Sequence, residues 1–120
     1  MGRVLHFEIP AKSPEKLTGF YKDVFGWTFQ KWGDMDYWLT DTGPKDKPGI
    51  GGAISKDSKY LKSTVNTLDV SDIHESMESI KKHGGKILTE IMDIPNVGKF
   101  CYCKDPEGNI FGIMQSTGSM

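Results

Sequence analysis

Two stretches of this 120-residue chain spell out the same order of elements. From Val4 to Phe29 the order is extended segment, helix, glycine, extended segment, and from Ser63 to Leu88 it is the same again. His6 precedes Gly26 by twenty positions, and Val65 precedes Gly85 by the same twenty. Each copy is followed by further short apolar runs. Such a repeat confines the chain to folds assembled from two copies of one supersecondary unit. It also directs attention to the space between the copies as the place for a working site.

In the first copy Leu5, Phe7 and Ile9 alternate with His6 and Glu8, the pattern of a half-buried strand with a polar second face. Ser13-Pro14-Glu15 starts a helix with a capping hydroxyl, a proline at the first helical position and an acid in the first turn. Leu17, Phe20, Tyr21, Val24 and Phe25 recur at helical spacing and predict a buried stripe, and Gly26 ends the helix. Trp27–Trp32 and Tyr37–Thr40 read as strands joined through Gly33-Asp34. Thr42–Gly49 reads as a loop and Ile50–Ser55 as a short, glycine-rich strand.

In the second copy Thr64–Val70 is extended, with Leu68 and Val70 on its apolar side. Ser71 is the expected helix cap, with Asp72 in the first turn. Ile73, Met77 and Ile80 form the stripe, Lys81 and Lys82 suit the C-terminal end, and Gly84-Gly85 stop the helix. Lys86–Met92 reads as one strand. Phe100–Cys103 and Ile110–Gln115 form a hairpin around the turn Asp105-Pro106-Glu107-Gly108-Asn109, and Ser116–Met120 reads as a tail. The order is therefore βαβββ twice, an α+β chain. Three apolar segments between the helices favour it over a ferredoxin-like βαββαβ.

Net charge is −1 with acids and bases mixed, so no basic face points to nucleic acid. No apolar run approaches the roughly 20 residues of a membrane span. The opening Met1-Gly2-Arg3-Val4 leads directly into a strand and carries no secretory signal pattern. Cys101 and Cys103, two apart on a strand, share a side and are poorly placed to bridge each other. Free thiols fit a cytoplasmic setting.

The segments Leu5-His6-Phe7-Glu8-Ile9-Pro10, Phe20-Tyr21-Lys22-Asp23-Val24-Phe25-Gly26-Trp27, Gly49-Ile50-Gly51-Gly52, Ile80-Lys81-Lys82-His83-Gly84-Gly85-Lys86 and Asp105-Pro106-Glu107-Gly108-Asn109 together resemble the vicinal oxygen chelate superfamily. This is the glyoxalase I, bleomycin-resistance and extradiol-dioxygenase group. The resemblance covers almost the whole chain. It implies one domain over residues 1–116, with module one at 3–56, module two at 62–116 and a tail at 117–120. It also implies that the two βαβββ sheets form a U-shaped cleft. Enzymes of the group hold a divalent metal there with about four protein ligands.

By this resemblance His6 lies at the first ligand position. The second falls near Gly52–Ala53, the third near Val65 and the fourth at Gly112, and none of these side chains coordinates a metal. One of four ligands is retained, and a lone imidazole holds a metal poorly where working sites use three or four protein ligands. The expectation is a cleft without metal or other cofactor.

The residues expected to line that cleft and meet a small organic ligand are His6, Glu8, Trp38, Gly52, Tyr102, Gly112 and Met114. His6 and Glu8 are also the catalytic candidates, as an acid–base pair. Glycines where relatives carry bulky ligands are expected to enlarge the cleft. Two functions stand side by side: a small-molecule binding protein like the bleomycin-resistance members, and a glyoxalase-like lyase or isomerase or a dioxygenase-type enzyme. The latter uses either a metal recruited through His6 or a metal-free His6/Glu8 pair. A module that binds a partner protein is the third class. Members commonly pair, so a homodimer is implied as readily as a monomer.

Overall fold

The computed structural model describes residues 2–117. Its elements are β1 (Arg3–Ala11), α1 (Pro14–Phe25), β2 (Thr28–Lys31), β3 (Tyr37–Asp41), β4 (Gly51–Lys56), β5 (Val65–Asp69), α2 (Ile73–Lys82), β6 (Lys86–Ile87), β7 (Met92–Ile94), β8 (Gly98–Lys104) and β9 (Ile110–Ser116). The chain divides into two compact units. One is Leu5–Val65; the other runs from Asn66 onward and includes the first residues through Val4.

In the first unit the strands lie in the order β2-β3-β4-β1. β2 with β3 and β3 with β4 are antiparallel, and β4 with β1 is parallel. A parallel neighbour needs a crossover, and α1 with the β2–β3 hairpin supplies it. α1 starts where Pro14 fits the first turn, although the Ser13 side chain makes no capping bond. It ends at Gly26, whose φ of 74° is the left-handed conformation that glycine adopts without cost. α1 packs over β3 and β4. Its expected stripe is only partly covered: Pro14 is buried, Leu17 and Tyr21 are half-buried, and Phe20, Val24 and Phe25 are exposed.

In the second unit β5 pairs parallel with β9, β9 pairs antiparallel with β8, and β6 and β7 both pair antiparallel with β8. The core is Ile73, Cys101, Cys103 and Ile113, backed by Leu68, Val70, Met77, Ile80, Ile87, Ile91 and Phe111. The helix cap is Asp72 rather than Ser71: the Glu75 N–H donates to Asp72 Oδ1 at 3.1 Å. Two cap-forming residues stand side by side, and the one whose oxygen reaches the third helical amide takes the role. Lys86–Met92 is two short strands instead of one. After Ile87 the Leu88 N–H still donates to the Tyr102 carbonyl at 2.9 Å, but the Tyr102 N–H donates to Thr89 Oγ1 at 3.0 Å. A side chain thus takes the place of a ladder bond, and the segment re-pairs further along β8 as β7. The second unit therefore has one strand more than the repeat predicts.

The turn at 105–109 follows its chemistry. Asp105 Oδ1 accepts from the Glu107 and Asn109 amides, each at 2.9 Å, and Oδ2 accepts from Asn109 Nδ2 at 3.0 Å. Those Asn109 bonds hold the Asp105 carboxyl below the usual carboxylate range. Thr117 donates its amide to the Val97 carbonyl, and the expected tail at 118–120 lies outside the described residues. Among the described residues no helix is long and apolar enough to cross a membrane.

Candidate functional site

β1 divides the first unit's sheet into two chemically distinct faces. The Phe7 ring meets Trp27, with centroids 5.8 Å apart, and Trp27 stacks on Tyr21 of α1 at 4.5 Å. Phe7 therefore lies on the helix side, and alternation places His6 and Glu8 on the other. The register sets Gly51 beside His6 and Ala53 beside Glu8, with Leu39 of β3 next to Ala53 and Tyr37 next to Ser55.

On this face His6 Nε2 and the Tyr37 hydroxyl are hydrogen-bonded at 3.1 Å. Burial pushes the His6 pKa below its ordinary value, and the nearby Glu8 charge opposes that only in part. His6 is therefore a neutral imidazole near pH 7. Glu8 is buried, at 7% exposure, which is unusual for a carboxylate and requires polar or charged company. Tyr37 is a member of this group that the sequence reading missed. It sits two residues from Leu39, so the alternation of β3 carries the signal, but only once the strand's register is known.

Trp38 and Gly52 do not join this group. Trp38 is in register with Ile54, and Gly52 with Phe7, on the α1 side of the sheet. The Lys31 ammonium lies 5.6 Å from the Trp38 ring centroid on that side. Trp38 Nε1 is buried without a hydrogen-bond partner among the described residues. A β-carbon at position 52 would meet the Phe7 carbonyl oxygen and come within 2.6 Å of the Phe7 ring. The glycine admits the neighbouring strand and ring; it does not open space beside His6.

In the second unit the β8 and β9 registers place Phe100, Tyr102, Gly112 and Met114 on one face, with Thr67 and Asp69 of β5. Cys101, Cys103 and Ile113 point the other way, into the α2 core. Tyr102, Gly112 and Met114 thus share a face as the alternation predicts. Phe100 and Tyr102 meet edge to face at 4.8 Å. A β-carbon at 112 would lie 2.5 Å from the Phe100 ring and 3.1 Å from Thr67 Oγ1, so the ring already fills the space the glycine leaves. Thr67 is 5% exposed, and its hydroxyl has no hydrogen-bond partner among the described residues. The Cys101 and Cys103 sulfurs are 3.8 Å apart. Either thiol can donate in this contact, and the contact together with burial pushes the Cys103 thiol up.

Residues 3–113 match the family model of the Glyoxalase/Bleomycin resistance protein/Dioxygenase superfamily. The chain belongs to this superfamily. A glyoxylase-like domain-containing protein of Didymella fabae is 32% identical, covering 98% of this chain and 96% of its own. A solved superfamily member from Vibrio splendidus 12B01 superposes with a TM-score of 0.69 at 17% identity, covering 97% of this chain and 99% of that one. Methylmalonyl-CoA epimerase of Streptomyces coelicolor, in complex with 2-nitronate-propionyl-CoA, gives 0.68 at 11% identity over 97% and 95%. The two structural likenesses show the fold, that of tandem βαβββ modules.

At the four positions where the superfamily pattern puts metal ligands, this chain has His6, then Ala53 (on the His6 face) with Gly52 (on the α1 side), then Val65, which is buried, then Gly112 under the Phe100 ring. Among the described residues no three of His, Cys, Asp and Glu gather where they could hold a metal ion. This donor set does not fit the divalent metal of the superfamily's enzymes.

Proposed function

We propose that this superfamily member binds a small organic molecule on the sheet face that carries His6, Glu8 and Tyr37, and that it does so without a metal. The carrying observation is the hydrogen-bonded His6–Tyr37 pair beside a buried carboxylate, on the face that α1 leaves free. Few convergent polar groups amid apolar neighbours, here Leu39 and Ala53, are the composition of ligand sites. Tyr37 engages Nε2 and so orients the ring, and in this reading Nδ1 is the atom that meets a ligand's donor or acceptor. Glu8 accepts a hydrogen bond from a ligand hydroxyl or amide. Tyr102 and Met114 make the second unit's helix-free face a further contact surface. The buried free thiols support a reducing compartment such as the cytoplasm.

A thermal-shift screen of metabolites and antibiotics tests this reading, because a ligand that binds only the native state raises apparent stability, by about 2.7 kcal/mol at a hundred times its Kd. Hits should lose their shift in His6→Ala and Glu8→Ala. Hits indifferent to both changes would move the site elsewhere. Near-stoichiometric transition metal in protein purified without chelator would overturn the metal-free part.

A second reading rests on Glu8 alone. A buried carboxylate close enough to feel the His6 ring has the makings of a general base, with His6 orienting it. The fold shared with an acyl-CoA epimerase supports testing carbon acids. Exchange of an acyl thioester's α-proton in D2O should then occur with the wild type and cease in Glu8→Gln.

A further inference from the structure

We infer that the loop between β3 and β4 holds the phosphate group of a small organic phosphate. The loop and the strand ends that carry it line a cleft of about 530 Å³. That lies within the roughly 300–1,000 Å³ of small-molecule sites. Gly51 lines the cleft and is also the register partner of His6. The cleft therefore begins at the β4 position next to His6. A ligand that spans the two is an elongated molecule with one anionic end; only the placing of its uncharged part rests on the function proposed above.

Every residue from Thr40 to Gly51 lines the cleft except Asp46. Pro44-Lys45-Asp46-Lys47 is a turn, closed by the Lys47 N–H donating to the Pro44 carbonyl at 3.2 Å. It brings Lys45 and Lys47 to the cleft and leaves the acid between them outside. Neither ammonium is paired among the described residues. Asp41 is the one acid that lines the cleft, and its Oδ1 accepts from the Gly43 amide at 3.1 Å. Two ammonium groups thus stand against one partly engaged carboxylate, and the balance favours an anion. Lysine binds phosphate as a point charge, and a phosphate monoester, at about −1.5 to −2 near pH 7, matches two of them.

The loop holds its own shape. The Thr42 hydroxyl donates to the Ile50 carbonyl at 2.7 Å and draws the two ends together, as in an Ω-loop. Pro44 and Pro48 fix the backbone on either side of the two lysines. Binding then orders less of the chain than it would in a loose loop.

Isothermal titration calorimetry of the full chain at low salt, with phenyl phosphate and with inorganic phosphate, tests this. Phenyl phosphate should bind more tightly than inorganic phosphate. Lys45→Gln and Lys47→Gln should each weaken it by roughly fivefold, the upper end for an exposed charge pair, and the arginine variants should keep most of the affinity. Asp41→Asn should tighten it, because a like charge goes and the acceptor for Gly43 stays. Lys62→Gln, exposed and outside the cleft, should leave it unchanged. A wild type that binds no phenyl phosphate at about 10 mM overturns the inference. So does binding indifferent to both lysine changes, binding that Lys62→Gln weakens as much, or inorganic phosphate bound as tightly. Phenyl phosphate binding that needs the lysines but neither His6 nor Glu8 upholds the phosphate site and counts against the His6 face alone.

Discussion

Gly52→Ala is the sharpest test of how the first unit is assembled. The added β-carbon would meet the Phe7 carbonyl oxygen and come within 2.6 Å of two Phe7 ring atoms, where ordinary contacts begin near 3.4 Å. The ring would have to move by close to 1 Å, and it is held by Trp27. The carbonyl cannot move without disturbing the β1–β4 ladder, in which Phe7 and Gly52 are partners. Overpacking costs about 1–3 kcal/mol, and a backbone contact places this case in the upper half of that range. For a chain of this length, 2–3 kcal/mol lowers Tm by roughly 8–12 °C. Gly43→Ala is the matched control, because a β-carbon there meets nothing within 4 Å and its φ is not in the left-handed range. It should leave Tm unchanged or raise it slightly. Urea unfolding and calorimetry of both variants decide the matter. A Gly52→Ala protein within about 0.5 kcal/mol of wild type would refute the register and the placing of Gly52 on the α1 side.

Thr67→Val keeps the shape and removes a buried hydroxyl that has no partner, so it should raise the urea midpoint by the equivalent of about 1 kcal/mol. Asp72→Ala should cost about 1 kcal/mol and Asp72→Asn much less, because the cap accepts the Glu75 amide. His6 takes up its proton less readily in the folded chain than in the unfolded one. Its contribution is therefore intact above about pH 6.5, the ordinary value, and is lost as the pH falls below it toward the depressed folded value. Denaturant midpoints measured across that window should decline in the wild type and stay flatter in His6→Gln.

The features that were legible in the sequence are those written in local spacing. The alternation of β1 separates His6 and Glu8 from Phe7. Pro14 and Gly26 bound α1, Asp105 to Asn109 form their turn, and the spacing of two puts Cys101 and Cys103 on the core side. What was not legible depends on which residue stands opposite which. Trp38 and Gly52 were expected beside His6, but a strand slipped by one residue presents its other face, and local pattern does not set that register. Tyr37 was missed for the same reason. The periodicity of α1 marks an apolar stripe without saying how much of it a sheet will cover, and Phe20, Val24 and Phe25 remain outside. The split of Lys86–Met92 comes from a single threonine hydroxyl, beyond the reach of any pattern of apolar residues.

The ring of Phe100 over Gly112 also bears on how this sequence can change. A glutamate cannot be written at position 112 in one step, because the aromatic already stands where its stem would run. Trimming Phe100 first would leave a hole beside the buried Thr67 and Gly112, and exchanging the glycine first would force the ring aside. Either intermediate is handicapped, so placing a carboxylate at position 112 requires paired substitutions.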